Sequence, residues 1–505
     1  MKMSKNRLSV IVMEDISMNN KINIGWSFTD ITPDRPIYVT GQLYSRISSY
    51  VHDPITATCL VMENGKDQMT IVSLDVALPL NQHRPKILER LNIPGLDKEK
   101  VFFCAIHSHN ASAFDYDTER EWFFRPVLGD LCPVMDEPDN ILKDDELALF
   151  LQDKIVQLIE DAWESKCPGG VSSAHDYAAV AFNRRPQFLI DGKVESKMYG
   201  TCSEENFLGY EGSSDHSADM IYTWDLNGNL TGVAVAIPCP SQVYELHDFI
   251  SSDYWAEVRN SLHESLGNVY ILPLCQAAGD QNPLDLVRIS KENAKELKTW
   301  NAQETCVWRN FDMLRECQAI GARIRDAVLR GYEVAKNGIE TRPVFASSVT
   351  IIELPLRTVE KKDVDAAKAH VDAVKAKFKP GEHMTEAEMI RCFVDIGYLT
   401  RWELQQKKTT VKVPIFAFRL GRLALATSPF ELFVDFSYRI KARAKATQVI
   451  EVQLATGIDT AGYLPTKTAV EGGSYGALPV STSCGPDGGD KLVEETIKVL
   501  DAFYK

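Results

Sequence analysis

The sequence predicts a mixed α/β fold, α+β in character, from three observations. Apolar runs of strand length recur along the chain, each ending in a loop of polar and turn-forming residues. Stretches with helical periodicity lie between them. Asn64-Gly65 and Asn227-Gly228-Asn229 separate paired apolar runs, as hairpin turns do. A chain of 505 residues has length for two or three domains, or for one large domain with insertions.

Hydrophobic residues make up 45% of the chain and charged residues 25%, ordinary proportions for a globular protein. No apolar run approaches the ~18 residues that span a bilayer. The net charge of −15 argues against nucleic acid or an anionic membrane surface as partner, and suits a small-molecule substrate. Residues 8–13 are apolar but too few for a signal-peptide core, and acidic residues follow, so no export by that route is expected. Eleven scattered cysteines, with no CxxC pair, read as free thiols in a reducing, cytoplasmic compartment.

In chain order, residues 22–40 read as a strand and a turn, and residues 58–63 and 69–78 as a hairpin. The second hairpin strand ends in Asp75, either a cap or a partner for a site histidine. Residues 83–92 read as a helix. The run Val101-Phe102-Phe103-Cys104-Ala105-Ile106 then ends in His107-Ser108-His109-Asn110. In an extended backbone residues i and i+2 face the same way, so both imidazoles would share one side at a strand end. Both could then bind a metal, or one could bind while the other handles a proton; two polar loop residues is the plain alternative.

Residues 114–142, rich in aromatics, acids and prolines, read as an irregular insertion. Its Tyr116, Trp122, Phe123 and Phe124 are expected to shape a substrate pocket. Residues 144–166 form an amphipathic helix that packs on the core. A short strand over 178–182 leads to Asn183-Arg184-Arg185-Pro186, whose arginines either bind an anion or sit on a solvated loop.

A strand pair over 220–224 and 230–237 leads into Pro238-Cys239-Pro240. Cys239 there is a metal ligand, a nucleophile or a buried structural thiol. His247 and Asp253 follow. A strand over 269–274 ends in Gly279-Asp280-Gln281-Asn282-Pro283. Residues 313–335 and 361–378 read as helices, 343–356 as a strand, and 413–418 with 423–426 as a hairpin turned at Gly421. Pro429 and Glu431 then fit a first helical turn. A strand over 449–454 precedes Tyr463 and Tyr475, and a helix over 491–502, capped by Asp490, closes the chain. No internal repeat is detectable.

The order of these strand-end loops resembles the catalytic domain of the neutral, non-lysosomal ceramidase family. On that resemblance residues 1–20 are an extension. Residues 21–505 are a ceramidase-like zinc hydrolase domain, with divergent insertions near 110–170 and 285–345. The family's Thr-His-Thr-His-Ser-Gly motif is similar to the segment holding His107 and His109. This implies His107 as a zinc ligand and His109 beside the reaction centre. Arg184 matches the arginine of the family's Asn-Arg-Ser-Pro and is implied as a substrate-oxygen contact. Glu431 and Tyr463 match the family's zinc-binding glutamate and tyrosine, and Tyr475 matches a further active-site tyrosine.

The departures are specific. The family's second zinc histidine falls on Cys239 by counting, with His247 as the rival ligand. The family's proposed nucleophilic serine is replaced by Asn282. The family's C-terminal immunoglobulin-like domain is expected to be absent. The resemblance therefore implies a cytoplasmic zinc-dependent hydrolase of an amide or ester bond in a small soluble substrate, without stable membrane association. Zinc would be held by His107, Cys239 or His247, Glu431 and Tyr463. His109 would act as acid or base, and Arg184 and Tyr475 would hold the oxyanion. A glycoside-acting or other enzyme using Cys239, and a non-catalytic metal-binding descendant, are the alternatives.

Overall fold

The computed structural model describes residues 21–112, 120–291, 313–459 and 462–504. Its frame is three sheets. The first pairs β1 (Asn23–Asp30), β2 (Thr56–Glu63), β3 (Gln68–Leu74) and β4 (Val101–Ala105), with Cys167–Pro168 on the outer edge of β1. The second pairs β5 (Gly170–Tyr177), β6 (Ser217–Trp224), β7 (Leu230–Ile237) and β8 (Tyr270–Cys275). The third pairs β9 (Phe345–Pro355), β10 (Thr410–Leu420), β11 (Leu423–Thr427) and β12 (Gln448–Val452).

These sheets share one connectivity. In each, the first three strands are antiparallel neighbours and the fourth lies parallel to the third. A helix carries each parallel crossover: Arg84–Arg90 in the first unit, α2 (Tyr254–Leu266) in the second and α6 (Val434–Arg443) in the third. Among the described residues the remaining long helices are α1 (Asp144–Glu164), α3 (Met313–Ala335), α4 (Lys361–Lys375), α5 (Phe393–Lys407) and α7 (Pro486–Asp501). The repeat is one of topology and has no counterpart in sequence, which is why no repeat was expected.

Strands β4, β7 and β10 are apolar on both faces because both faces are covered. On β4, Phe102 and Cys104 face a central core, while Val101, Phe103 and Ala105 face α1. On β7, Ala234 and Ala236 face the same central core, while Val233, Val235 and Ile237 face α2 and α3. On β10, Phe416, Phe418 and Leu420 point inward, and Val411, Val413 and Ile415 meet α6 and α7. Three sheets thus enclose one shared core and carry their helices outside. The expected mixed class is the one observed.

Several local expectations change. The expected strand over 178–182 is reduced to Phe182–Asn183, paired with Gln281–Asn282; residues 178–181 are irregular, and β5 before them is an eight-residue strand with a half-polar outer face. Helix α7 starts at Pro486, so Asp490 lies inside it. Gly489 lies within that helix because a Cβ there would come within 2.2 Å of the Phe436 ring, so close packing on α6 requires it. Asp75 orients no histidine. Its carboxylate takes both guanidinium nitrogens of Arg259 at 2.8 Å and caps Thr56, joining the first sheet to α2. Phe123 and Phe124 enter a satellite core with Val371 of α4 and Ile396 of α5, while Trp122 is exposed. Tyr116 lies outside the described residues.

The Asp75–Arg259 pair is almost fully buried. Asp75→Ala leaves a buried guanidinium without its counter-charge, an expected loss of about 3–5 kcal/mol. A clear drop in the urea unfolding midpoint, larger than for surface Asp34→Ala, checks this.

Candidate active site at the converging strand ends

Loops that follow the third and fourth strands of the three units meet at one end of the central core. Isolated bridges Cys104↔Ala455 and Gln276↔Val452 stitch these strand ends together. Gly279 lies so close to the third unit that a Cβ would fall 2.3 Å from the Glu431 carbonyl. Polar side chains lock the junction. Gln453 Oε1 accepts from the backbone N–H groups of Ala278 and Leu432. Buried Asp280, its pKa pushed up to about 6 by burial, accepts from Val434 N–H and from the Asn183 amide.

His107 follows β4 in a left-handed conformation, with φ of 65°. The extended geometry therefore stops at His107, yet the two imidazoles still meet. Ile106 and Ser108 continue the pairing with the β3 side through the carbonyls of Leu74 and Val76, which turns the His107 ring out of the sheet. Its Nε2 lies 3.3 Å from His109 Nε2 and 3.3 Å from Glu431 Oε2. Its Nδ1 lies 2.7 Å from the Ala77 carbonyl, which can only accept, so Nδ1 carries a proton.

Glu431 is not in a helical turn. It pairs in a short parallel ladder directly opposite Tyr463, and α6 begins three residues later. Burial works against the Glu431 charge, but His107, Arg184 and a hydrogen bond from Tyr463 hold its pKa below the usual carboxylate value. Arg184 is buried over the Tyr463 ring at 5.3 Å and donates to the Gly279 carbonyl and to Tyr199 Oη. Burial opposes its charge, and Tyr463, Tyr199 and Glu431 more than compensate. The Tyr475 ring stands edge-on to Tyr463, at 5.4 Å.

The two adjacent arginines differ in use. Arg185 is tied to Glu211 by two nitrogens and to the carbonyls of Ala469, Gly473 and Tyr475, so it holds the loop that presents Tyr475.

His107, His109, Arg184, Glu431, Tyr463 and Tyr475 are therefore brought together. Cys239 packs in the second unit's core, and its thiol points to the Val180 carbonyl at 3.3 Å. Burial first, then Cys275, pushes its pKa well above the ordinary thiol value. His247 stacks on Phe249, with Nε2 3.2 Å from the Met313 sulfur. Asn282 lies behind His109, bonded to Tyr199 and to Gln242.

Four contributors escape the motifs: Gln242, Glu245, Gly41 and Arg46. Gln242 Nε2 is 2.7 Å from His109 Nε2, and Glu245 Oε2 is 3.5 Å from His109 Nδ1. Arg46 gathers the carbonyls of Thr40, His109, Glu245 and His247. The available signal was two polar residues, Gln242 and Glu245, just beyond the Cys239 turn.

Among the described residues, no group of three or more His, Cys, Asp or Glu side chains is arranged to hold a metal. A tyrosine falls outside such a count. His107, Glu431 and Tyr463 together offer one nitrogen and two oxygens, the three protein ligands that catalytic zinc sites have. The Nε2 atom of His107 faces a second ring nitrogen and a carboxylate oxygen, each at 3.3 Å. Two ring nitrogens and a carboxylate oxygen so close call for a cation or a proton among them, and the donor set fits zinc.

No family model matches the chain, and no curated protein matches it. Solved structures do, and the fold is that of neutral ceramidase. The neutral ceramidase of Pseudomonas aeruginosa aligns with a TM-score of 0.64 and 18% identity, over 95% of this chain and 74% of that one. A ceramidase complexed with C2 aligns with a TM-score of 0.63 and 16% identity, over 96% of this chain and 75% of that one.

Gly41 has φ of 99°, and a Cβ there would lie 2.4 Å from the His109 ring. Gly41→Ala is expected to displace that ring with little change elsewhere. A crystal structure of the variant checks this; an unmoved imidazole contradicts it.

Proposed function

We propose that this protein is a zinc-dependent hydrolase that cleaves an amide, or an ester, in an N-acyl or related small molecule. One observation carries the reading: His107, Glu431 and Tyr463 converge beside His109 and a buried Arg184, on a fold shared with neutral ceramidase. Such a hydrolase needs a group that polarises a carbonyl, a proton carrier and a fixed positive charge for the oxyanion.

His107, Glu431 and Tyr463 would hold the metal, and zinc bound there would supply Lewis acidity to the scissile carbonyl. Arg184 is kept rigid by Gly279 and Tyr199, so its charge is preorganised for a developing oxyanion rather than recruited during reaction. Tyr475, edge-on to Tyr463, flanks the same space. His109 would move the proton between the attacking group and the leaving group. Asn282 has no acidic side-chain proton to lose and acts through its amide.

No helix among the described residues is long and apolar enough to cross a membrane. The substrate we assign is a single small molecule presented to the strand-end loops. Covalent chemistry at Cys239 has less support, because the thiol is turned to Val180 and held protonated by burial.

The expected outcome is about one equivalent of zinc by metal analysis, with turnover in a panel of N-acyl amides and esters. His107→Ala should lose both. Arg184→Lys should lower kcat about 100-fold with KM little changed, since a lysine cannot keep the two fixed contacts. A metal-free protein inert to every amide and ester tested would reject the reading.

A further inference from the structure

The donors and acceptors behind His109 form a chain that can be read one atom at a time. Leu284 N–H can only donate, and it lies 3.0 Å from one side-chain atom of Asn282, which is therefore Oδ1. The other atom is the amide Nδ2, and it lies 2.6 Å from Tyr199 Oη and 3.3 Å from Gln242. Facing a donor, Gln242 must present Oε1 there. Its own Nε2 then faces His109, at 2.7 Å from the ring Nε2. A ring nitrogen that receives an N–H carries none itself. The His109 proton therefore sits on Nδ1, on the side of the Glu245 carboxylate, 3.5 Å away.

We infer that Gln242 and Glu245 are positioning residues that set the tautomer and plane of His109, with Asn282 fixing the sense of the Gln242 amide. The role in turnover rests on the hydrolase reading above; the tautomer itself does not. The surroundings fit a clamp. Gly41 lies against one face of the ring, and Arg46 donates to the backbone carbonyls of both His109 and Glu245. Gln242 is 1% exposed, Glu245 4% and Asn282 0%, so water does not offer these groups alternative partners.

Asn282 thereby gains a task that a serine could not do in the same way. Its amide spans three partners at once: the Leu284 N–H, the Tyr199 hydroxyl and Gln242 Oε1. Through Tyr199 the same amide reaches Arg184. The proton carrier and the oxyanion-facing cation are thus set by one side chain.

The test uses the full chain labelled with 15N-histidine, as purified and after zinc loading, with the His109 signals assigned by their loss in His109→Asn. The ring-nitrogen shifts report directly which nitrogen holds the proton. The wild type is expected to show His109 protonated on Nδ1. Gln242→Glu replaces the amide donor by an acceptor, so His109 should move to the form carrying a proton on Nε2. Asn282→Asp removes the donor to Gln242 Oε1 and should give a mixture of tautomers, which covers the case in which Gln242→Glu does not fold. Glu245→Gln should broaden or shift the Nδ1 signal. With a substrate in hand, Gln242→Glu should lower kcat about 100-fold or more while KM changes little. A wild-type His109 protonated on Nε2, or Nδ1 protonation unchanged in both Gln242→Glu and Asn282→Asp, overturns the inference. Neither result depends on finding a substrate, so failure here is distinct from failure of the hydrolase reading.

Discussion

The governing constraint is that at least one strand in each sheet, β4, β7 or β10, is apolar on both faces. Such a strand cannot sit against water on either side, so each sheet needs a helical layer outside and an apolar layer inside. Three sheets meet this need by facing one another across a common core. That arrangement brings the ends of the three parallel strand pairs to one place. Most charged side chains are kept out of the core, so they collect in the loops just beyond it, and those loops become neighbours. The site is a by-product of how the sheets are covered.

Much of the frame was legible because strand and helix periodicities differ. The runs that became β2, β4, β7, β8, β10 and β11 stand out by continuous apolar character, and α3 by its periodic stripe. Strand β5 was obscured because its sequence, Gly-Val-Ser-Ser-Ala-His-Asp-Tyr, is apolar on too few positions to register. The repeated connectivity was illegible because backbone pairing conserves topology without conserving side chains.

Legibility of the site followed the same division. His107 and His109 announce themselves, since a polar pair at the end of an apolar run has a restricted set of uses. Glu431 was placed in a helix by its proline two residues earlier, whereas a two-residue ladder with Tyr463 holds it. Gln242 and Glu245 were unreadable for another reason. Their importance lies in what stands 133 residues earlier in sequence, as the His109–Gln242 contact shows. No local pattern encodes such a separation. Within the aromatic insertion, Phe123 and Phe124 satisfy a packing demand of helices α4 and α5, which no local pattern announces.

The ladder between Glu431 and Tyr463 has one more implication. Residues directly opposite in a parallel pair keep their backbones roughly 4.8 Å apart whatever their side chains are. The carboxylate and the phenol therefore hang from a ruler made of main chain, anchored by Gly279 and Gln453. A lineage can exchange either side chain and still present two groups at the old separation. The chemistry at this end of the core can change by point substitution while the architecture that measures it out stays as it is.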